Sequence, residues 1–216
     1  MKKRTRRFPR LYWLGALLAC LVTSAALAAD ERPVVLFVGT SLTAGYGLPS
    51  DEAFPALLQQ RIDAAGLEYR VVNAGVSGDT SAGGLRRIDW LLKLPIAILV
   101  LELGANDMLR GLSPAMMRDN LQQILDRARA AHPDARFVIA GMRALQNLGD
   151  GYVEEFETSF PALAEKNDAA LIPFLLEGVA GERSLNQADD IHPNAEGQKK
   201  VAAVVWPKLE PLLAAK

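Results

Sequence analysis

Five short apolar runs, separated by stretches with helical spacing, constrain the fold of this chain more than any other feature. They are rich in Val, Ile, Leu and Phe and lie at residues 34–38, 69–72, 96–101, 137–140 and 170–172. Strands that alternate with helices along a chain pair in parallel, because each connection crosses one face of the sheet. The sequence therefore predicts a single α/β domain with three α/β/α layers around a five-stranded parallel sheet.

The connecting stretches carry the apolar stripes of amphipathic helices. One stripe is formed by Phe54, Leu57, Leu58, Ile62 and Ala65 and stops before Gly66. A second runs from Met117 to Ala128 and is opened by Ser113, a good N-cap, and by Pro114, which the first helical turn tolerates. Residues 152–167 and 194–205 are predicted to form two further helices.

The first 28 residues differ from the rest of the chain. Residues 1–10 contain six Lys and Arg side chains, residues 11–22 are almost wholly apolar, and small residues follow as far as Ala26-Leu27-Ala28, a pattern that signal peptidases accept. We interpret residues 1–28 as an export signal and residues 29–216 as a domain that is periplasmic or secreted. An uncleaved membrane anchor and a lipoprotein attached through Cys20 are the alternatives.

Charge and cysteine content narrow the possible functions of residues 29–216. The whole chain has a formal charge of −1, but these residues contain 18 basic and 25 acidic side chains, a formal charge of −7. No basic cluster remains to neutralise phosphates, so nucleic-acid binding is not expected. The lone cysteine, Cys20, belongs to the signal, so no disulfide is expected. With two histidines and no cysteine, a zinc site is not expected either.

The segment after the first predicted strand places a hydroxyl at the sheet edge where ligands bind in folds of this class. Residues 39–47 read Gly-Thr-Ser-Leu-Thr-Ala-Gly-Tyr-Gly, and Ser41 stands at the strand-to-helix turn. Ser41 is therefore a candidate nucleophile. A plain glycine-rich turn or an anion cradle explains the same residues, although the Gly-Lys-Ser/Thr of a phosphate-binding loop is missing.

A serine nucleophile needs a base, and the chain contains only His132 and His192. His132 ends a predicted helix and has no acid three positions before it. His192 follows Asp189 by three positions, and a single helical turn would bring the two side chains onto one face. There the carboxylate would fix the imidazole tautomer. Alone, this pair fits an incidental surface contact; together with Ser41 it predicts a catalytic triad.

Two more loops follow predicted strands and offer hydrogen-bond donors for an oxyanion. Residues 73–80 include Gly78, and residues 104–107 include Asn106. Gly, Asn and Asp are also ordinary turn residues. Function is favoured because four loops at one sheet edge carry a hydroxyl, a backbone amide, a side-chain amide and an acid–histidine pair.

In their order along the chain, residues 39–42, Gly78, residues 104–107 and Asp189-x-x-His192 resemble the blocks of the SGNH (GDSL) hydrolase family. The match spans nearly all of residues 29–216 and is closest to the bacterial branch of thioesterases, arylesterases and lysophospholipases. The resemblance implies a flavodoxin-like fold, with Ser41 as nucleophile, His192 as base and Asp189 as its orienting acid. It also implies an oxyanion hole made by the backbone N–H groups of Ser41 and Gly78 with the Asn106 amide. No metal or organic cofactor is implied.

One position departs from the family pattern. Aspartate usually precedes the nucleophile, whereas this chain has Thr40, so we expect the nucleophile turn to be held differently. In the resembled branch, the segment matching residues 108–112 is a mobile loop beside the acyl pocket. Met108, Leu109 and Leu112 are therefore expected to bind substrate, and residues 142–151 to form another wall.

The expected substrate is a small ester or lipid. Esters or thioesters with short to medium acyl chains, including lysophospholipids, would be hydrolysed through an acyl-enzyme on Ser41. The enzyme is expected to be a monomer without membrane insertion once the signal is cleaved. Two other functions fit the same residues: a carbohydrate O-acetyl esterase, and a non-catalytic exported module that binds acyl chains or anions.

Overall fold

The computed structural model describes residues 31–214, so the proposed export signal and Cys20 lie outside the described residues. Five strands form one sheet in the order β2-β1-β3-β4-β5, and every neighbouring pair is parallel. The strands are β1 Val34–Gly39, β2 Arg70–Gly75, β3 Ile96–Glu102, β4 Arg136–Ala140 and β5 Ala170–Ile172. The predicted α/β architecture and its five-stranded parallel sheet are confirmed.

Seven α-helices connect or follow these strands within the described range. They are α1 Ser41–Ala44, α2 Phe54–Ala64, α3 Ser81–Leu91, α4 Ala105–Leu109, α5 Pro114–Ala131, α6 Asp150–Asn167 and α7 Ala195–Ala214. The predicted N-cap of α5 is present, since the Ser113 side chain accepts a hydrogen bond from the Met116 N–H. Helix α7 continues nine residues beyond its predicted end, through Pro207 and Pro211.

Helix α3 was not predicted, because Gly83 and Gly84 lower the helix propensity of its first turn. The Thr80 side chain caps the helix by accepting a hydrogen bond from the Gly83 N–H. A Cβ on Gly84 would lie 2.4 Å from a methyl carbon of Leu103. The glycine therefore allows close packing of α3 against Leu103, the residue that follows β3, which the local sequence does not reveal.

The strand ends are what position the site. Strand β1 is buried along its whole length, and α2 packs with α7 while α3, α5 and α6 pack in sequence. Gly39, the last residue of β1, is in register with Gly75 of β2 and Glu102 of β3. The segments that leave these three strands therefore start side by side.

In residues 31–214, no helix combines the length and apolar character needed to cross a bilayer.

Candidate active site

Ser41 is the first residue of α1, directly after the buried end of β1. The turn before it is tied to Glu102, a buried carboxyl at the end of β3. Glu102 accepts hydrogen bonds from the Thr40 N–H at 2.8 Å, the Thr40 hydroxyl at 3.0 Å and the Thr43 hydroxyl at 2.7 Å. Burial raises the pKa of the Glu102 carboxyl, and these hydrogen bonds oppose the shift. Thr40 therefore acts as a donor to a carboxyl group that lies beneath the nucleophile turn.

Ser41, His192 and Asp189 form a continuous chain of hydrogen bonds. The Ser41 hydroxyl lies 2.9 Å from His192 Nε2, and His192 Nδ1 lies 2.7 Å from Asp189 Oδ2. The second Asp189 oxygen accepts the backbone N–H groups of Ile191 and His192. The backbone hydrogen bond from His192, then its side chain and the Ile191 N–H, hold the pKa of Asp189 well below its usual range. Such an arrangement can remove a proton from the serine as it attacks.

The route by which Asp189 reaches His192 differs from the expected helical turn. Residues 189–192 form an irregular bend, and Asp190 has a left-handed backbone with φ of 56°. The two side chains meet because the Asp189 carboxylate closes the bend onto its own backbone amides. Asp190 lies apart from this pair, with a carboxylate oxygen 3.6 Å from Arg183 Nε.

Tyr46 also contacts the histidine, a contact that the sequence did not indicate. Its ring centroid lies 4.6 Å from that of His192. Gln187 joins the two segments, since its side-chain amide donates to the Tyr46 carbonyl oxygen and its backbone N–H donates to that of His192. The other histidine, His132, ends α5 and contacts the Leu92 carbonyl oxygen at 2.9 Å, outside this group.

The segment carrying Gly78 is held by polar contacts from the neighbouring helices. The Asn106 amide on α4 donates to the Asp79 carbonyl oxygen at 2.9 Å. Arg87 on α3 contacts the Asp79 carboxylate at 2.7 Å and also donates to the carbonyl oxygens of Ala74 and Gly39. One guanidinium therefore joins the ends of β1 and β2 to the segment after β2.

Ser41, His192, Gly78 and Asn106 line one cavity of about 760 Å³. Its remaining wall is mostly apolar: Met108, Leu109, Met142, Ala144, Leu145, Phe174, Leu176 and Ile191. Of the residues expected to bind substrate, Met108 and Leu109 line this cavity. Leu112 does not, and its carbonyl oxygen accepts a hydrogen bond from the Tyr152 hydroxyl.

The expected wall at residues 142–151 is only partly present. Residues 142–145 line the cavity, whereas the rest of the segment does not. Arg143 is engaged by its neighbours, with its guanidinium 4.4 Å from the centroid of the Phe174 ring and 3.2 Å from the Glu177 carboxylate. Its guanidinium therefore has an aromatic and a carboxylate partner beside the cavity, and the ion pair with the carboxylate is exposed.

Known proteins resemble this chain over most of its length. The model of the GDSL-like lipase/acylhydrolase family matches residues 37–200. Esterase TesA of Pseudomonas aeruginosa is 43% identical over 200 residues, which cover 92% of this chain and 96% of that protein. Thioesterase 1/protease 1/lysophospholipase L1 of Escherichia coli is 39% identical over 202 residues, or 93% of each protein.

A solved structure adds a comparison of the fold. The crystal structure of the psychrotrophic esterase EstA from Pseudoalteromonas sp., inhibited by monoethylphosphonate, superposes with a TM-score of 0.79. It is 33% identical, and the match covers 85% of this chain and the whole of that one. The sequence comparisons and the fold comparison therefore both match this chain to esterases and related acyl hydrolases.

Proposed function

The chain belongs to the GDSL-like lipase/acylhydrolase family and is a carboxylic ester hydrolase, and we propose that it works through an acyl-enzyme on Ser41. His192 is the general base and Asp189 its orienting acid. The observation that carries this proposal is the pair of contacts at His192, 2.9 Å to the Ser41 hydroxyl and 2.7 Å to the Asp189 carboxylate. The first distance allows a proton to pass from Ser41 to His192, and the second allows Asp189 to orient the imidazole.

The reaction has two steps. The Ser41 oxygen attacks the ester carbonyl while its proton passes to His192 Nε2, and Asp189 stabilises the imidazolium that forms. His192 then protonates the departing alcohol or thiol. Water then attacks the acyl-enzyme and loses a proton to the same nitrogen. The bond between the acyl group and the Ser41 oxygen breaks, His192 returns the proton to that oxygen, and the carboxylic acid leaves.

The oxyanion of both steps is bound by the backbone N–H groups of Ser41 and Gly78 and by the Asn106 amide. Asn106 donates one N–H to the Asp79 carbonyl oxygen, which leaves the other for the substrate. Because the first bond fixes the rotation of the amide, the second donor needs no reorganisation when charge develops. That arrangement favours the transition state over the bound ester.

The cavity supports a substrate with an extended acyl chain. Its volume of about 760 Å³ lies in the range of sites for drug-sized ligands, and apolar side chains form most of its wall. An acetyl group would leave most of that space unfilled, so a carbohydrate O-acetyl esterase fits less well. We propose esters and thioesters of short to medium acyl chains and lysophospholipids as substrates. The name of the Escherichia coli relative, which includes thioesterase and lysophospholipase, supports this choice.

We further propose that residues 1–28 are an export signal and that residues 29–216 act as a periplasmic or secreted monomer. The basic and apolar composition of that segment supports this assignment. An exported protein whose measured mass includes residues 1–28, or a dimer at working concentration, would contradict it.

Covalent labelling tests the assignment of the nucleophile. A fluorophosphonate should label the protein at one site. Ser41→Ala should abolish the label and lower the rate of ester hydrolysis by several orders of magnitude. Ser77→Ala is the matched control, because Ser77 also lines the cavity and should leave labelling intact. Hydrolysis of p-nitrophenyl esters by Ser41→Ala at the wild-type rate would refute the proposal.

A further inference from the structure

Large hydrophobic side chains that are strongly exposed concentrate at one end of the molecule. Among residues 31–214 there are eight of them, and seven follow the carboxyl ends of the strands. We call these seven the apolar rim: Tyr46, Val76, Leu109, Leu112, Met116, Leu145 and Ile191. The eighth, Trp90, lies in the last turn of α3 and so belongs to the opposite edge of the sheet.

The distribution follows the topology of the fold. Each of the five segments that leave the carboxyl edge of the sheet contributes at least one member of the rim. Tyr46, Leu109, Leu145 and Ile191 also line the cavity that contains Ser41. Single exposed apolar residues are ordinary on protein surfaces, but seven at one edge of the sheet, four of them lining one cavity, indicate an interaction site.

The charge near the cavity indicates which kind of lipid surface this rim fits. Arg143 lies 3.2 Å from Glu177, and Arg183 lies 3.6 Å from Asp190. Arg110, between Leu109 and Leu112, donates to the Gly78 carbonyl oxygen rather than to a carboxylate. Residues 29–216 as a whole have a formal charge of −7. A surface rich in anionic lipids attracts basic clusters, and Arg110 by itself, on a domain with an acidic net charge, does not form one.

We propose that the apolar rim docks the enzyme onto the surface of zwitterionic lipid aggregates. This inference rests on the proposed function, since an acyl chain that leaves the lipid would enter the cavity without passing through water. The partner is defined by two features of the molecule: exposed apolar side chains, four of which line the cavity, and the acidic net charge of residues 29–216. Partial insertion of such side chains is favoured by the apolar area removed from water.

Sedimentation with phosphatidylcholine vesicles tests the proposal. The protein is started at residue 29, because residues 31–214 contain the complete sheet and core and residues 11–22 would bind lipid by themselves. All variants carry Ser41→Ala so that lipid is not consumed. The rim variant is Val76→Ser/Met116→Ser, whose two positions are exposed and do not line the cavity. Trp90→Ser is the matched control at the opposite edge.

We expect the parent protein to sediment with the vesicles, the rim variant to bind roughly tenfold more weakly, and Trp90→Ser to bind like the parent. Equal loss in the rim and Trp90 variants, or no vesicle binding by the parent, would overturn the proposal. With Ser41 restored, the rim variant should still hydrolyse soluble p-nitrophenyl esters. Loss of that hydrolysis in the unmodified enzyme would count against the proposed function instead.

Discussion

At the scale of single residues, the environment of Thr40 explains how this chain tolerates a departure from its family. The Thr40 hydroxyl donates to Glu102 and accepts a weak hydrogen bond from the Leu42 N–H at 3.4 Å. Threonine therefore satisfies the buried carboxyl and the start of α1 together. An aspartate at this position would accept from Leu42 but would face Glu102 as a second carboxyl.

Thr40→Asp should therefore introduce a pH-dependent defect. Two carboxyls at this distance cannot both ionise, so each raises the pKa of the other, in addition to the effect of burial on Glu102. A carboxyl whose folded pKa is raised destabilises the fold once pH exceeds its unfolded pKa. We expect the free energy of unfolding to fall by roughly 2–4 kcal/mol toward about pH 8, with kcat falling in parallel.

The double variant Thr40→Asp/Glu102→Gln is the control for that prediction. The glutamine amide can donate to the new carboxylate, so stability and kcat should lose their extra pH dependence. Denaturant unfolding and kcat, measured across the same pH series, check both expectations. If Thr40→Asp shows the same pH dependence as the wild type, the two side chains do not interact as described.

At the scale of elements, α3 carries a residue that positions the site from outside the cavity. Arg87 joins β1, β2 and the Asp79 carboxylate, and its neighbour Arg86 is exposed on the same helix. The planar guanidinium reaches three acceptors at once, which a lysine ammonium on a flexible stem cannot reproduce. Helix α3 thus does more than cover the sheet.

Arg87→Lys should lower kcat roughly tenfold to a hundredfold while KM changes little, because the Gly78 segment would lose its fixed position. Arg86→Lys should stay within about twofold of the wild type, as expected for an exposed position. Steady-state kinetics on a soluble ester measure both. A KM increase without loss of kcat in Arg87→Lys would place the effect on substrate binding instead.

The strands were easier to predict from the sequence than the helices. All five strands were predicted, because each contains a short apolar run, which is largely buried in β1, β3 and β4 and only partly buried in the edge strands β2 and β5. Helix α7 exceeded its prediction because Val205, Leu209 and Leu213 are buried on one face and hold the helix together despite two prolines. The short helices α1 and α4 were not predicted: they have four and five residues, and their polar contacts, Thr43 to Glu102 and Asn106 to the Asp79 carbonyl oxygen, join segments far apart in the sequence.

At the scale of the whole molecule, the cavity is shared by segments from four strand ends and the loop before α7. Its volume of about 760 Å³ and apolar wall should make acyl length the main determinant of activity. In a p-nitrophenyl ester series, kcat/KM should rise from acetate to medium chains by roughly tenfold or more, since each buried methylene contributes about 0.8 kcal/mol at most. Acetylated xylan should be a poor substrate.

Two outcomes of that series would change the assignment. A maximum at acetate together with rapid release of acetyl groups from xylan would favour the carbohydrate esterase. A flat profile would mean that the cavity does not hold the acyl chain. The covalent label on Ser41 is independent of chain length, so it separates either outcome from the absence of catalysis.

The sequence by itself determined the order of the five strands and of helices α2, α5, α6 and α7 along the chain, and it limited the base to one of two histidines. Those properties follow from local periodicity and from the offset between Asp189 and His192. Tertiary structure decided the bend that joins this pair, the Tyr46 contact, the Glu102 hydrogen bonds and the Arg87 anchor. Each depends on backbone geometry, or on groups dozens of residues apart that meet only because parallel strands end at one edge of the sheet.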